Sequence, residues 1–316
     1  MSEPRTTVDP ARDVPVEAYG RAIQIAFPQL AEIAPVRLLD EGWDGVAVET
    51  TGGLVFRFPR HEASAESQAK EGRLLPFLRA HVSPAIPIPE WQAGPQPDFP
   101  WGFGGYRKVP GIALRPEAIV EENAEPLAAS IGGFLSELHG FSVERARAFD
   151  IPGLREWRAG YESLRDAVMP GLRGELTITE RGRLRRWWRD FLAHDRAWDF
   201  EPALVHADLE PAHLLVDDEV RGLDGVIDWG DAAIGDPAID FAGLMRGYGA
   251  EFTWRVVESY RSRGGAVDGD LFMRVRRLGA VAPFHAVRFA LAAEDASGPS
   301  LAEAVAELRA GPVLSR

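Results

Sequence analysis

Cysteine is absent from the 316 residues, so neither a disulfide nor a thiolate metal site is open to this chain. That suits a reducing compartment. The opening stretch, Met-Ser-Glu-Pro-Arg-Thr-Thr-Val-Asp-Pro, lacks the apolar core of a secretion signal, and no uninterrupted apolar run approaches membrane-spanning length. A cytoplasmic protein is expected. Positive charge is also short: 35 Lys and Arg stand against 48 Asp and Glu, for a net charge of −13. Nucleic acid is therefore excluded as an expected partner, because a phosphate backbone needs a basic footprint. An acidic surface serves solubility and also attracts cationic small molecules. There is no internal repeat and no low-complexity segment. What the chain does have is length enough for two lobes, and a hydrophobic fraction of 46% that suits a folded core.

The densest information lies between residues 204 and 241. Two short apolar runs, Leu214 to Val216 and Gly225 to Ile227, flank a polar turn at Asp217 to Arg221, which is a hairpin pattern. Asp208 precedes the first strand and Asp228 ends the second. Paired carboxylates at strand ends suit phosphoryl transfer: one orients the attacking hydroxyl and takes its proton, the other holds the magnesium on the nucleotide phosphates. Protein kinases place these groups in His-Arg-Asp, an Asn five residues later, and Asp-Phe-Gly. Here the corresponding positions read His206-Ala207-Asp208, His213, and Asp228-Trp229-Gly230.

The run from Leu204 through Ile227-Asp-Trp-Gly-Asp-Ala-Ala-Ile-Gly-Asp-Pro-Ala-Ile-Asp240 resembles the aminoglycoside phosphotransferase family, small-molecule kinases with a protein-kinase-like fold. The resemblance extends over about residues 36 to 295. It implies an α+β, two-lobed fold: an antiparallel-sheet nucleotide-binding lobe over 1–108, then a mostly helical lobe over 109–316 with the catalytic hairpin and acceptor pocket. It also implies ATP or GTP as donor, Mg²⁺ as cofactor, and a small-molecule hydroxyl as acceptor. Asp208 would be the catalytic base, acting mainly by orienting the hydroxyl. Asp228 would hold the metal through hard oxygen donors. His213, where an Asn is more usual, is a poorer magnesium ligand; His at this position is similar to the aminoglycoside 2″-phosphotransferases and the macrolide phosphotransferases. His206 reads as a buried prop, Asp240 as a brace for the loop, and Asp236 before Pro237 as a helix N-cap.

The upstream residues fall into line with that reading. Val16, Tyr19, Ile23, Phe27 and Leu30 repeat at helical spacing. Val36 to Leu39 is a strand, and the turn after it carries Gly42 and Gly45, whose backbone would approach phosphates or merely turn a hairpin. Leu54, Phe56 and Phe58 point one way along the next strand, with Val55 and Arg57 on the other side against the nucleotide. Arg57 stands where kinases carry Lys, and Glu71, in a helix over 63–75, is its expected partner. The backbone of Arg107, Lys108 and Val109 would be the hinge that meets the nucleobase.

Beyond the hinge, apolar residues at helical spacing mark helices over about 127–138, 154–168, 184–192, 251–263, 268–293 and 300–310. A cationic aminoglycoside would find carboxylates at Glu251, Glu258, Asp268, Asp270, Glu294 and Asp295. A macrolide would find Trp254, Phe272, Phe284 and Phe289. The acidity and the Gly230-Asp-Ala-Ala run favour the aminoglycoside, Arg57 the macrolide; a metabolic alcohol or sugar is a further option. Outside catalysis, a nucleotide-binding pseudokinase regulator would explain Ala207, His213 and Arg57, against the intact Asp208 and Asp228. A metal-dependent hydrolase is disfavoured because the His and Asp spacing makes no facial metal triad.

Overall fold

The computed structural model describes residues 14–33, 36–42, 44–193, 198–292 and 300–314, with only the backbone described at 33 and 154–157. Two compact units emerge. One takes in the described part of Met1–Ala80 with Pro84–Pro110 and Gly225–Gly230; the other takes in His81–Ser83, Gly111–Asp224 and the described part of Asp231–Arg316.

The first unit is built on a five-stranded antiparallel sheet of β1 (Val36–Glu41), β2 (Gly45–Thr50), β3 (Leu54–Pro59), β4 (Pro89–Ala93) and β5 (Phe103–Arg107), in the order β1-β2-β3-β5-β4. Alternation on β3 sends Phe56 and Phe58 into an aromatic core with Tyr19, Phe99 and Phe103, where the Phe58 and Phe103 rings stack at 4.4 Å. Helix α1 (Val16–Ala26) covers that core with Tyr19 and Ile23. It stops short of the expected Leu30, because Phe27 precedes Pro28 and is held at φ −133°, ψ 74°. Helix α2 (Glu62–Leu78) follows β3, capped by His61, whose Nδ1 accepts from the Ser64 amide at 3.2 Å.

The second unit is mainly helical. It contains β6 (Ile112–Ala113), α3 (Glu121–His139), α4 (Val143–Arg147), α5 (Leu154–Gly171) and α6 (Ile178–Ala193). The strands β7 (Ala203–Val205), β8 (Leu214–Val216), β9 (Leu223–Val226) and β10 (Ala233–Gly235) come next, followed by α7 (Ala238–Ser262), α8 (Leu271–Gly279), α9 (Ala282–Ala292) and α10 (Leu301–Ala310). β10 pairs antiparallel with β7, and β6, β8 and β9 form a small sheet in that order. β9 starts in this unit at Leu223 and its chain runs on into the first. Helices α3 and α7 pack so closely at Gly132 that an added Cβ would lie 2.8 Å from Ser259 and from the Val256 carbonyl.

The helix expected over about 251–263 follows a break at Gly249 (φ 82°), a backbone state glycine adopts without penalty, that separates it from the helical run beginning at Ala238. One helical expectation needs correcting. The run read over 268–293 is two helices, α8 and α9, since Pro283 has no N–H to continue a helix and suits the first turn of a new one. No helix among the described residues is long and apolar enough to cross a membrane.

Candidate active site

In the sheet-bearing unit the predicted Arg57–Glu71 pair is formed. Arg57 Nη1 donates to both carboxylate oxygens of the buried Glu71, at 2.9 and 2.8 Å. Its Nη2 lies 3.7 Å from Asp228 Oδ1. The Glu71 carboxylate holds the Arg57 guanidinium still more firmly protonated, against the cost of burial, while burial pushes the Glu71 carboxyl up with Arg57 opposing. Asp228 sits at φ 62°, in the left-handed region that Asp tolerates better than most residues. Its side chain is about half exposed, at 47%.

Neighbouring contacts fix the Asp228 loop. From α2, Ser67 Oγ and Lys70 Nζ donate to the Gly230 carbonyl at 2.7 and 2.5 Å. Trp229 is fully buried and its Nε1 donates to the Val226 carbonyl at 3.0 Å. The Val226 amide donates to Ala85 at 2.9 Å, and Gly225 has no room for a Cβ, which would fall 2.3 Å from Val109. These contacts are why residues 225–230 join the sheet-bearing unit.

The other nucleotide-side residues are placed as follows. Val55 is buried on β3, paired with Tyr106 on β5. Arg107 pairs through Nε with Glu90 at 3.1 Å, and Lys108 through Nζ with Glu49 at 3.0 Å. The Lys108 amide is used by the Gly53 carbonyl at 2.9 Å, whereas the Val109 amide makes no backbone hydrogen bond among the described residues. Gly42 donates its amide to Gly45 across the turn at 3.0 Å. Gly45 is required by packing, since a Cβ there would stand 2.5 Å from the Phe58 carbonyl.

In the helical unit the loop carrying Asp208 hangs on one buried carboxylate. Asp240, near the start of α7, accepts from the Ala207 amide through Oδ1 at 2.8 Å and from the His206 amide through Oδ2 at 3.1 Å. Its Oδ2 also lies 3.0 Å from Nε2 of buried His139 on α3, whose Nδ1 lies 3.2 Å from the Tyr260 hydroxyl. Ala207 is thereby held at φ 69°, a strained state for a residue with a Cβ, immediately before Asp208. His206 is fully buried and takes the Asp208 amide on Nδ1 at 3.4 Å, a prop as expected. Asp236 accepts from the Ala238 amide at 3.0 Å at the foot of α7 and is salt-bridged to Arg274 at 2.7 Å.

His213 is oriented by the same loop. Its Nδ1 lies 2.7 Å from the Asp208 carbonyl, an acceptor only, so Nδ1 carries the proton and the lone pair is on Nε2. The same nitrogen is 3.5 Å from Asp208 Oδ2.

Asp208 also lines a cavity of about 230 Å³ within the helical unit, together with Asp231, Glu210, Arg246 and Tyr161. Asp208, Glu210 and Asp231 are the carboxylates of its wall, and Glu210 is salt-bridged to Arg246. The proposed acidic candidates are not among the residues lining it: Glu251 pairs with Arg255, Glu258 with Arg261, and Asp268 with Arg274. Asp270 is on the N-terminal flank of α8, and Glu294 and Asp295 lie outside the described residues. Of the apolar candidates, Trp254 and Phe272 pack on each other at a tilt with ring centres 4.7 Å apart and Phe284 is buried in the core; Phe289 does not line the cavity either.

Residues 35–278 match the model of the phosphotransferase enzyme family (APH). The chain belongs to that family. It is a phosphotransferase acting on a hydroxyl group. Among solved structures, it is similar to the GDP and kanamycin complex of APH(2″)-IIIa, at 28% identity and TM-score 0.82, covering 93% of this chain and 97% of that one. It is also similar to the macrolide 2′-phosphotransferase MphH from Brachybacterium faecium, at 25% identity and TM-score 0.69, covering 92% and 98%. A viomycin phosphotransferase from Streptomyces vinaceus is 30% identical over 174 residues, 53% of this chain and 56% of that protein. The kinase-like α+β fold expected from the catalytic run is thus the fold observed, with an antiparallel sheet in one unit and helices in the other.

Four positions escaped the sequence reading: Ser67, Lys70, His139 and Tyr260. His139 was visible only as the residue before Gly140 at a helix end; its partner Asp240 is 101 positions away.

Proposed function

We propose that this enzyme transfers the γ-phosphoryl group of ATP or GTP to a hydroxyl of a cationic aminoglycoside in the cytoplasm. The observation that carries the acceptor class is the cavity beside Asp208, whose wall bears Asp231 as a further carboxylate and Tyr161, but none of the apolar candidates Trp254, Phe272, Phe284 and Phe289. Ammonium groups on the acceptor would be held by Asp231, bringing the adjacent hydroxyl to Asp208. The similar structure that holds kanamycin, an aminoglycoside, points in the same direction.

In this reading Asp208 aligns the hydroxyl and takes its proton as the oxygen attacks the γ-phosphorus in line. Asp240 keeps the loop from relaxing while that happens. Arg57, fixed by Glu71, places positive charge at the phosphates, and Val109 offers its amide to the base. Asp228 suits Mg²⁺ by its hard, partly exposed oxygens; His213 presents Nε2, a weaker donor for that ion. When bound, the ion supplies neutralising charge between the phosphates. Phosphorylation would add a charge of about −2 to a group that the drug's target must recognise, so the outcome would be resistance.

The test is mass spectrometry of reactions containing kanamycin or a macrolide with MgATP or MgGTP. A product heavier by one phosphoryl group with kanamycin supports the reading. Phosphorylation of the macrolide alone would replace it.

A further inference from the structure

We propose that the cleft between α5 and α6 is a second ligand site, one that takes an amphipathic anion: an apolar ring or chain carrying a phosphate or a carboxylate. This goes beyond the reading given for the catalytic loop and does not depend on it. The cleft encloses about 460 Å³ and is lined by Arg158, Arg165 and Met169 from one helix and by Arg185, Trp188 and Arg189 from the other. That size suits a drug-sized ligand.

Three observations converge on an anion with an apolar body. First, four arginines surround one cleft in a chain whose net charge is −13, so the cleft is a local reversal of the molecule's charge. Helical spacing produces it: Arg185 and Arg189 are one turn apart, as are Arg165 and Met169. Second, the charges that oppose these arginines among the described residues are exposed: Arg165 and Arg189 pair with their sequence neighbours Asp166 and Asp190, with Glu162 a further charge near Arg165, in pairs that an entering anion can displace. Arg158 donates to the Leu192 carbonyl at 2.8 Å and lies over the Trp198 ring. Arg185 has no ion-pair or hydrogen-bond partner among the described residues. Third, Trp188 is 1% exposed, packs at a tilt against Phe284 with ring centres 4.7 Å apart, and has a buried Nε1–H without an acceptor among the described residues. Trp188 thus gives the arginine-rimmed cleft an apolar wall against which a ring or chain can lie. Arginine forks bind phosphate and carboxylate oxygens alike.

The experiment uses the full chain with ¹⁵N-labelled tryptophan, the Trp188 indole signal being assigned with Trp188→Phe. Three probes of one ring system are titrated: 1-naphthyl phosphate, 1-naphthoate and neutral 1-naphthol. The expected result is a saturable shift of the Trp188 indole with one or both anions, weakened about tenfold or more in Arg185→Ala/Arg189→Ala. The double variant should keep wild-type phosphotransfer, and the tighter of the two anions identifies the ligand's acidic group. No shift at Trp188, an equal shift with 1-naphthol, or unchanged affinity in the double variant would overturn the proposal.

Discussion

The two units hold their chemistry in opposite ways. In the sheet-bearing unit, Arg57, Glu71 and Asp228 are charged side chains that meet one another, with Arg57 and Asp228 partly open to solvent. In the helical unit, Asp208 is positioned through the backbone: one fully buried carboxylate, Asp240, takes two consecutive loop amides and the His139 ring. A side-chain network with open members tolerates exchange of one cation for another. A backbone bracket around a strained Ala207 does not, because removing Asp240 leaves buried amides unpaired and releases the loop together.

The comparison breaks most visibly at Asp208. Asp208→Asn should lower kcat by about 10²–10⁴-fold with little change in nucleotide KM, as measured by steady-state kinetics. Near-wild-type turnover would remove this carboxylate from the reaction. Next comes Asp240→Ala, which should cost about 3–5 kcal/mol in a denaturant titration and depress kcat, since it leaves the partners of a buried carboxylate unmatched. Intact stability with unaltered kcat would show that the bracket is ornamental.

Arg57 separates the two units' behaviour more sharply. Arg57→Lys should retain measurable turnover and raise the nucleotide KM, whereas Arg57→Ala should raise it by about tenfold or more, as expected for loss of hydrogen bonds to charged groups. Equal effects of Lys and Ala would contradict a charge role. The chain's own composition bears on this position: it has only two lysines, Lys70 and Lys108, against a large excess of arginine. The Arg in place of Lys therefore follows the chain's general preference as well as the demands of the site.

A smaller effect is expected at the cavity. Asp231→Asn should raise KM for a cationic acceptor by about tenfold, with kcat unchanged and the difference shrinking as salt is added. The smallest lies in the Asp268–Arg274 pair. Hydrogen bonds from Arg274 hold the Asp268 carboxyl below its ordinary value, so its contribution is present above a pH of about 4 and disappears as the pH falls through the folded-state value. Thermal melts of Asp268→Asn should fall below wild type by on the order of 2 °C at neutral pH and converge with it in acid.

How much of this could be read in advance depended on chain distance. The Arg57–Glu71 pair was expected because Arg57 stands where kinases carry the Lys that pairs with a Glu on the following helix, and Asp240 was readable from the run that contains it. His139 was not, because a helix-end histidine announces nothing about a carboxylate on another helix. Gly45 was legible as a turn glycine, but its cause, contact with the Phe58 carbonyl, belongs to the sheet. Glu251, Glu258 and Asp268 read as available acids in the sequence, but Arg255, Arg261 and Arg274 take them up in the folded chain.

The most direct test of the account is a single-turnover measurement with kanamycin and a saturating Mg²⁺–nucleoside triphosphate, comparing wild type, Asp208→Asn and Asp240→Asn. The account requires a phosphorylated product with wild type, a chemical step slowed by orders of magnitude in the first variant, and an intermediate rate in the second. A wild-type rate in Asp240→Asn beside a dead Asp208→Asn would show that the buried carboxylate does not set the loop's geometry, and a wild-type rate in both would end the case for this loop as the catalytic one.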